Sequence, residues 1–222
     1  MSKIRMGIIG CGSMNTNHER GLLDLADDVQ VTCTCDIDRE RAQRSAEHVH
    51  AEHVFTDYKD MVDYVDAVLI VLPHHLHYEA GMFFIENGKH VLMEKPMCNT
   101  EEECLRMVKA AEEKHVKLMV AYPVPYWPEI IKLKELVDDG IIGDVFNMSI
   151  WTEQSTGAAF SEKTWLHSAE KLGGGQLFSH GCHYIDILLR FLGEPVSGAH
   201  VGTNYGTPWM EKEGTSHVTI KF

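Results

Sequence analysis

Along positions 1–121, apolar residues come in short runs separated by longer stretches in which they recur every three or four places. A run of about four to eight apolar or β-branched residues between turn signals reads as a strand buried on both faces, and a three-to-four period reads as a helix lying against it. This predicts strands at Ile4–Ile9, Val29–Cys35, Ala67–Leu72, His90–Met93 and Lys117–Ala121. It predicts helices at Met14–Ala26, Arg39–His48, Leu76–Asn87 and Glu101–His115, the third stopped by Gly88. Regular alternation of the two makes right-handed crossovers, so the expected fold is α/β, a Rossmann-type doubly wound parallel sheet.

After Ala121 the pattern changes. Pro123, Pro125 and Pro128 crowd around Tyr126 and Trp127, which predicts a boundary, with one domain over 1–122 and a second over 123–222. The second opens with a helix at Glu129–Asp138, whose Ile130, Leu133, Leu136 and Val137 form one stripe, followed by a strand near Val145–Thr152. The stretch Glu153–Leu172, rich in small and polar residues, is the expected substrate-facing loop. A helix at Gln176–Leu192 and strands at Val196–Tyr205 and Ser216–Phe222 complete a partial α+β domain with an open, mainly antiparallel sheet. The alternation in Ser216–Phe222 is unfinished, so the expectation is that this domain is incomplete and the record truncated.

Composition narrows the function. With 222 residues, 44% hydrophobic and 24% charged, the chain can bury a sizeable core. A net charge of -13 repels nucleic acid and anionic lipid, which leaves a small molecule as the expected partner. Ala67–Leu72 is too short to span a bilayer, and Ile8–Ile9 between glycines is too short for a secretory signal, so the expected location is cytoplasmic. The six cysteines are then reduced thiols, with Cys33 and Cys35 sharing one strand face as small apolar side chains. His74, His75 and His77 have no carboxylate or cysteine at ligand spacing, so no metal is expected.

The chemistry begins at Gly7, in the segment GIIGCGS. Gly10 permits a tight bend and Gly12 lets the backbone approach a pyrophosphate, which the first amides of the next helix, at Ser13 and Met14, would bind. Asn15 stands where a third small residue is usual, a departure from the dinucleotide pattern. Asp36 ends the second strand, where a carboxylate binds a ribose diol and repels a 2'-phosphate. NAD is therefore the expected cofactor, with NADP possible because Arg39 lies close by. The alternative is that Asp36 and Asp38 only cap the following helix. Lys95 sits at the carboxyl end of a central strand, where ligands bind in open sheets, and Pro96 fixes the chain direction after it, cis or trans.

The glycine turn, Cys35-Asp36-Ile37-Asp38, Pro73 to His77, Gly88 to Pro96 and Gly173 to Asp186 together resemble the glucose-fructose oxidoreductase and inositol dehydrogenase family (Gfo/Idh/MocA) over nearly the whole chain. The resemblance implies an NAD(P)-dependent dehydrogenase acting on a secondary hydroxyl of a sugar, inositol or related polyol, homo-oligomeric if its second domain is complete. Lys95 would lie beside the nicotinamide and the reacting hydroxyl, and His183, after Gly173-Gly174-Gly175, would carry the proton, a task suited to an imidazole. Pro73 and His77 would line the nicotinamide, and Glu94 would pair with a neighbouring cation. Ser179, His180 and His183 would face the substrate, and Tyr122, Tyr126, Trp127 and Trp165 are either apolar walls for a sugar ring, with Tyr122 and Trp165 facing the substrate, or ordinary core or domain-interface aromatics. Many relatives carry an aspartate where this chain has Ser179, and Asp186 is placed to orient His183 or to join a local polar patch. Two other outcomes fit the same resemblance: a dinucleotide-binding regulator or scaffold without turnover, and an NAD-dependent glycosidase-like enzyme.

Overall fold

Six strands, β1 (Ile4–Ile9), β2 (Val29–Cys35), β3 (His53–Phe55), β4 (Ala67–Ile70), β5 (His90–Glu94) and β6 (Leu118–Ala121), pair in parallel in the order β3-β2-β1-β4-β5-β6. This is a computed structural model, describing residues 2–154 and 164–222, and the chain divides into two units, Met1–Ala121 and Tyr122–Phe222. Helices α1 (Asn15–Asp24), α2 (Arg39–Val49), α3 (His77–Glu86) and α4 (Glu101–Glu113) connect the strands. The predicted strands and helices of this unit all form, with ends within two residues of expectation.

Period-two burial explains the layering. Along β4, Val68 and Ile70 enter a core with Phe84, Ile85, Met93 and Met107, whereas Ala67 and Leu69 enter another with Met6, Ile8, Val31 and Val49. All four residues of β4 are buried, so the strand is covered on both faces, as parallel sheets require. Cys33 and Cys35 lie together in the first core, 0% and 3% exposed, as small apolar side chains. Sequence reasoning missed β3 and the 3-10 turn Tyr58–Tyr64, whose start is capped by Asp57 accepting from the Lys59 N–H. A three-residue edge strand is too short to show a period.

The second unit holds α5 (Pro128–Asp138), a 3-10 turn at Trp165–His167, α6 (Ala169–Leu172), a wide π-helical turn at Leu177–Gly181 and α7 (Cys182–Leu192). Its β7 (Ser197–Thr203) and β8 (Thr215–Lys221) pair antiparallel, from Ser197 opposite Lys221 to Thr203 opposite Thr215. The strand expected at Val145–Thr152 is absent: these residues take no regular structure, and a lone extended segment without a partner strand cannot satisfy its backbone as a sheet does. Residues 155–163 of the expected substrate-facing stretch lie outside the described residues. Among the described residues no helix is long and apolar enough to cross a membrane.

Phe84 is fully buried between sheet and helices, so Phe84→Ala is expected to cost about 3–5 kcal/mol in urea unfolding followed by far-UV circular dichroism. Thr100 caps α4 in a reciprocal box with Glu103 and is exposed, so Thr100→Ala should cost only about 1 kcal/mol in the same measurement.

Candidate active site

Strands buried on both faces can expose polar groups only at their ends, and in the first unit the predicted residues gather past the carboxyl ends of β1, β2, β4 and β5. In this strand order the crossovers change side between β1 and β4, which is where open sheets bind ligands. Gly10 has φ +92°, and a Cβ there would stand 2.2 Å from the Val71 carbonyl oxygen, so the turn after β1 lies directly against the chain leaving β4. A Cβ on Gly12 would meet nothing within 4 Å, so glycine there keeps the approach to the amides clear. Ser13 and Met14 are exposed, α1 has no side-chain cap, and its first turn has no acidic residue, so its positive end fits a pyrophosphate.

Asp36 is 8% exposed and ties this turn to the end of β2. Its Oδ2 accepts the Cys11 N–H at 2.9 Å and its Oδ1 accepts the Asp38 N–H at 2.9 Å. Those bonds occupy about two of a carboxylate's four acceptor positions, leaving the others for a diol. Asp38, accepting from the Glu40 and Arg41 N–H groups, is the cap of α2; Asp36 is not. Asn15, the departure in the glycine turn, is 1% exposed and serves as a polar rivet between α1 and α2. Its amide donates to Glu19 Oε1 at 2.7 Å and to Ser45 Oγ at 3.1 Å, while Glu19 Oε2 meets His48 Nδ1 at 2.7 Å.

At the end of β5, Glu94 is largely buried and pairs with His18 of α1, with Nε2 2.7 Å from Oε1. Its other oxygen accepts the Lys95 backbone N–H at 3.0 Å. Burial pushes the Glu94 carboxyl up, yet the hydrogen bond and charge of His18 together with the charge of Lys95 outweigh it and hold the group below the ordinary glutamate range. Lys95 is half-buried, and the Lys95–Pro96 bond is cis. Sequence reasoning foresaw a cation for Glu94 but missed His18, since nothing in the helix period marks a partner 76 residues away.

Pro73 lies three residues past the end of β4 and is half-buried, and His77 follows it as the first residue of α3. Its side chain is 0% exposed, with Nδ1 2.8 Å from the Pro96 carbonyl oxygen and Nε2 2.8 Å from that of Leu72. Burial drives its pKa below the ordinary imidazole value, against the pull of those carbonyls and of the Glu94 charge. Enclosed in this way, the His77 ring ties the chain following β4 to the chain following β5.

In the second unit, Gly173 ends α6 at φ +86°, and the chain re-enters helix through the wide turn Leu177–Gly181 before α7. His183 lies in the first turn of α7, its ring edge-on to Tyr122 at 5.8 Å and to His180 at 5.6 Å between centroids. His180 also meets the Gln154 side chain and the Tyr184 hydroxyl, the latter at 3.4 Å. Ser179 is 8% exposed, and Trp165 is half-buried in its 3-10 turn. Burial raises the Asp186 carboxyl against the charge of Arg190, whose guanidinium lies 5.9 Å from the centre of the exposed Tyr126 ring.

Comparison with known proteins gives this geometry a lineage. The sequence profile of the oxidoreductase family GFO_IDH_MocA, NAD-binding Rossmann fold, matches residues 4–122, and that of the GFO/IDH/MocA C-terminal domain matches residues 130–222. The chain is 32% identical to the scyllo-inositol 2-dehydrogenase (NADP(+)) IolW of Bacillus subtilis, covering 86% of this chain and 52% of that protein. It is 32% identical to inositol 2-dehydrogenase 2 of Saccharopolyspora erythraea, covering 90% of this chain and 57% of the relative. The WlbA dehydrogenase of Chromobacterium violaceum, solved with NADH and UDP-GlcNAcA, matches with a TM-score of 0.88 at 28% identity over 99% of this chain and 64% of its own. The chain thus spans about half the length of the curated relatives it matches. With both profiles matched in order, this chain belongs to the Gfo/Idh/MocA family of oxidoreductases.

Proposed function

We propose that this protein is an NAD(P)-dependent dehydrogenase that transfers a hydride between a nicotinamide cofactor and a secondary hydroxyl of a sugar, inositol or related polyol. The observation that carries this reading is Lys95, half-buried at the carboxyl end of β5, with its backbone N–H bound to Glu94 in a sheet whose glycine turn fits a pyrophosphate. The relatives named above as inositol dehydrogenases support the substrate class.

NAD(P), when bound, supplies the hydride acceptor. The amides from Gly12 to Met14 would hold the pyrophosphate, and the free acceptor positions of Asp36 would take the ribose diol. This favours NAD over its 2'-phosphorylated form, which a fixed and buried carboxylate repels. Pro73 shapes the loop beside the nicotinamide, and Glu94 acts on the cofactor side through its hold on Lys95. The Lys95 ammonium stabilises the negative charge that builds on the substrate oxygen, and His183 accepts the departing proton and returns it in reduction. Tyr122, Trp165, Ser179 and His180 contact the polyol. The reading carries with it homo-oligomeric assembly, tested by light scattering on the eluted protein, and a cytoplasmic site of action, in keeping with six free cysteines.

Two measurements test the reading. NADH absorbance is followed with a panel of inositols and sugars, where Lys95→Ala should lower kcat about 10²–10³-fold while the Kd for NADH stays within about threefold. Asp36→Ala should weaken NADH relative to NADPH about tenfold, the worth of one hydrogen-bonded charge, in a fluorescence titration. NADH binding without turnover on any hydroxyl would move the protein to the regulators. Release of a free sugar without net NADH would make it glycosidase-like.

A further inference from the structure

We infer that His18 is a positioning residue for Lys95, acting through Glu94; the inference rests on the role given to Lys95 above. The tripeptide Glu94-Lys95-Pro96 is held at both ends by histidines from other elements. At Pro96 the hold comes from His77, which is enclosed and spans the Leu72 and Pro96 carbonyls at 2.8 Å each. At Glu94 it comes from His18, and the same carboxylate that meets His18 at 2.7 Å accepts the Lys95 N–H at 3.0 Å. Both links are short, and the carboxylate side chain is only 13% exposed, so the orientation of Lys95's own peptide is set by where His18 puts Glu94.

His18 stands in α1, the helix whose first amides form the pyrophosphate cradle. Its ring therefore joins the element that would receive the cofactor's anionic part to the strand end that bears the amine. Without that ring, a mostly buried carboxylate loses its partner and turns toward water, and the Lys95 N–H loses its acceptor. The effect falls on the direction of the lysine rather than on the amides of the turn, so it belongs to kcat more than to cofactor affinity.

The experiment compares the parent chain with His18→Ala and His18→Gln. Glutamine places an amide nitrogen near the reach of the imidazole Nε2 and can donate to the same carboxylate oxygen. His18 is half-buried, so both substitutions leave the core untouched. In His18→Ala, kcat for polyol oxidation should fall about tenfold, roughly 1.4 kcal/mol of barrier, with the Kd for NADH within about threefold. Hydrogen exchange at the Lys95 amide should speed up about tenfold, and His18→Gln should bring both quantities back to within about threefold of the parent. Unchanged exchange at Lys95 in His18→Ala, or a folded His18→Gln that restores neither quantity, would overturn the role of His18. So would loosened exchange with kcat unmoved. The exchange measurement needs neither cofactor nor substrate, so a parent chain inactive on every polyol would count against the reaction proposed above while the exchange rates still decide whether His18 holds Lys95.

Discussion

A parallel strand covered on both faces has only its ends left for chemistry, and every candidate group of the first unit obeys that constraint. β1 gives way to Gly10, β2 to Asp36, β4 to the Leu72–Pro73 loop and β5 to Glu94 and Lys95. Burial along the strands is what makes this so: Ile8, Val68, Leu69, Ile70 and Met93 are all 0% exposed, and a polar side chain among them would lose its water without a partner. The same burial rigidifies the strand ends, because a shift of one residue in register would turn each strand's core face to the opposite layer. Groups at those ends inherit a fixed spacing that a loop alone could not impose.

The ends are also tied to one another rather than left as independent loops. Gly10 lies on the Val71 carbonyl, its N–H donates to the Cys35 carbonyl at 2.8 Å, and Asp36 takes the next N–H from Cys11. His18 reaches Glu94 and His77 joins Leu72 to Pro96. Each link joins a residue following one strand to a residue following another, or to the helix after it. A network of this kind sets the glycine turn, the two carboxylates and the backbone of Lys95 in place before any ligand arrives, which is how a binding site avoids spending binding energy on its own ordering.

How far this could be read from the sequence follows from the range of each interaction. Strands and helices of the first unit were legible because their signals are local: period two or three to four, and Gly88 at a helix end. The glycine turn, Asp36 and Lys95 were legible because their place after a strand is part of the same local pattern. His18 and the burial of His77 were not, since their partners lie far along the chain or are carbonyl groups that no residue type announces. Asn15 was legible only as an anomaly. A side chain where a small one is usual requires compensation, and that compensation, Glu19, Ser45 and His48, comes from two different helices. The strand expected at Val145–Thr152 failed for a related reason, because alternation marks a segment fit to pair but does not supply the neighbour.

The region around His183 shows where spacing stops being enough. Counting residues from the triple glycine places a histidine on a helix, and a helix of uniform pitch would then fix which way it points. The turn Leu177–Gly181 is wide, however, so the residues before it and after it are out of phase with a single 3.6-residue helix. Ser179 and His180 lie within that turn and His183 lies beyond it, so their relative directions depend on the extra residue. His180 and His183, three residues apart, present their rings edge to face at 5.6 Å, with Tyr122 edge-on to His183 as well. An imidazole flanked by two ring edges is restricted in rotation as well as in position. In the proposed reaction, a base that takes a proton in one direction and returns it in the other would depend on that restriction, because the same nitrogen has to face the same oxygen both times.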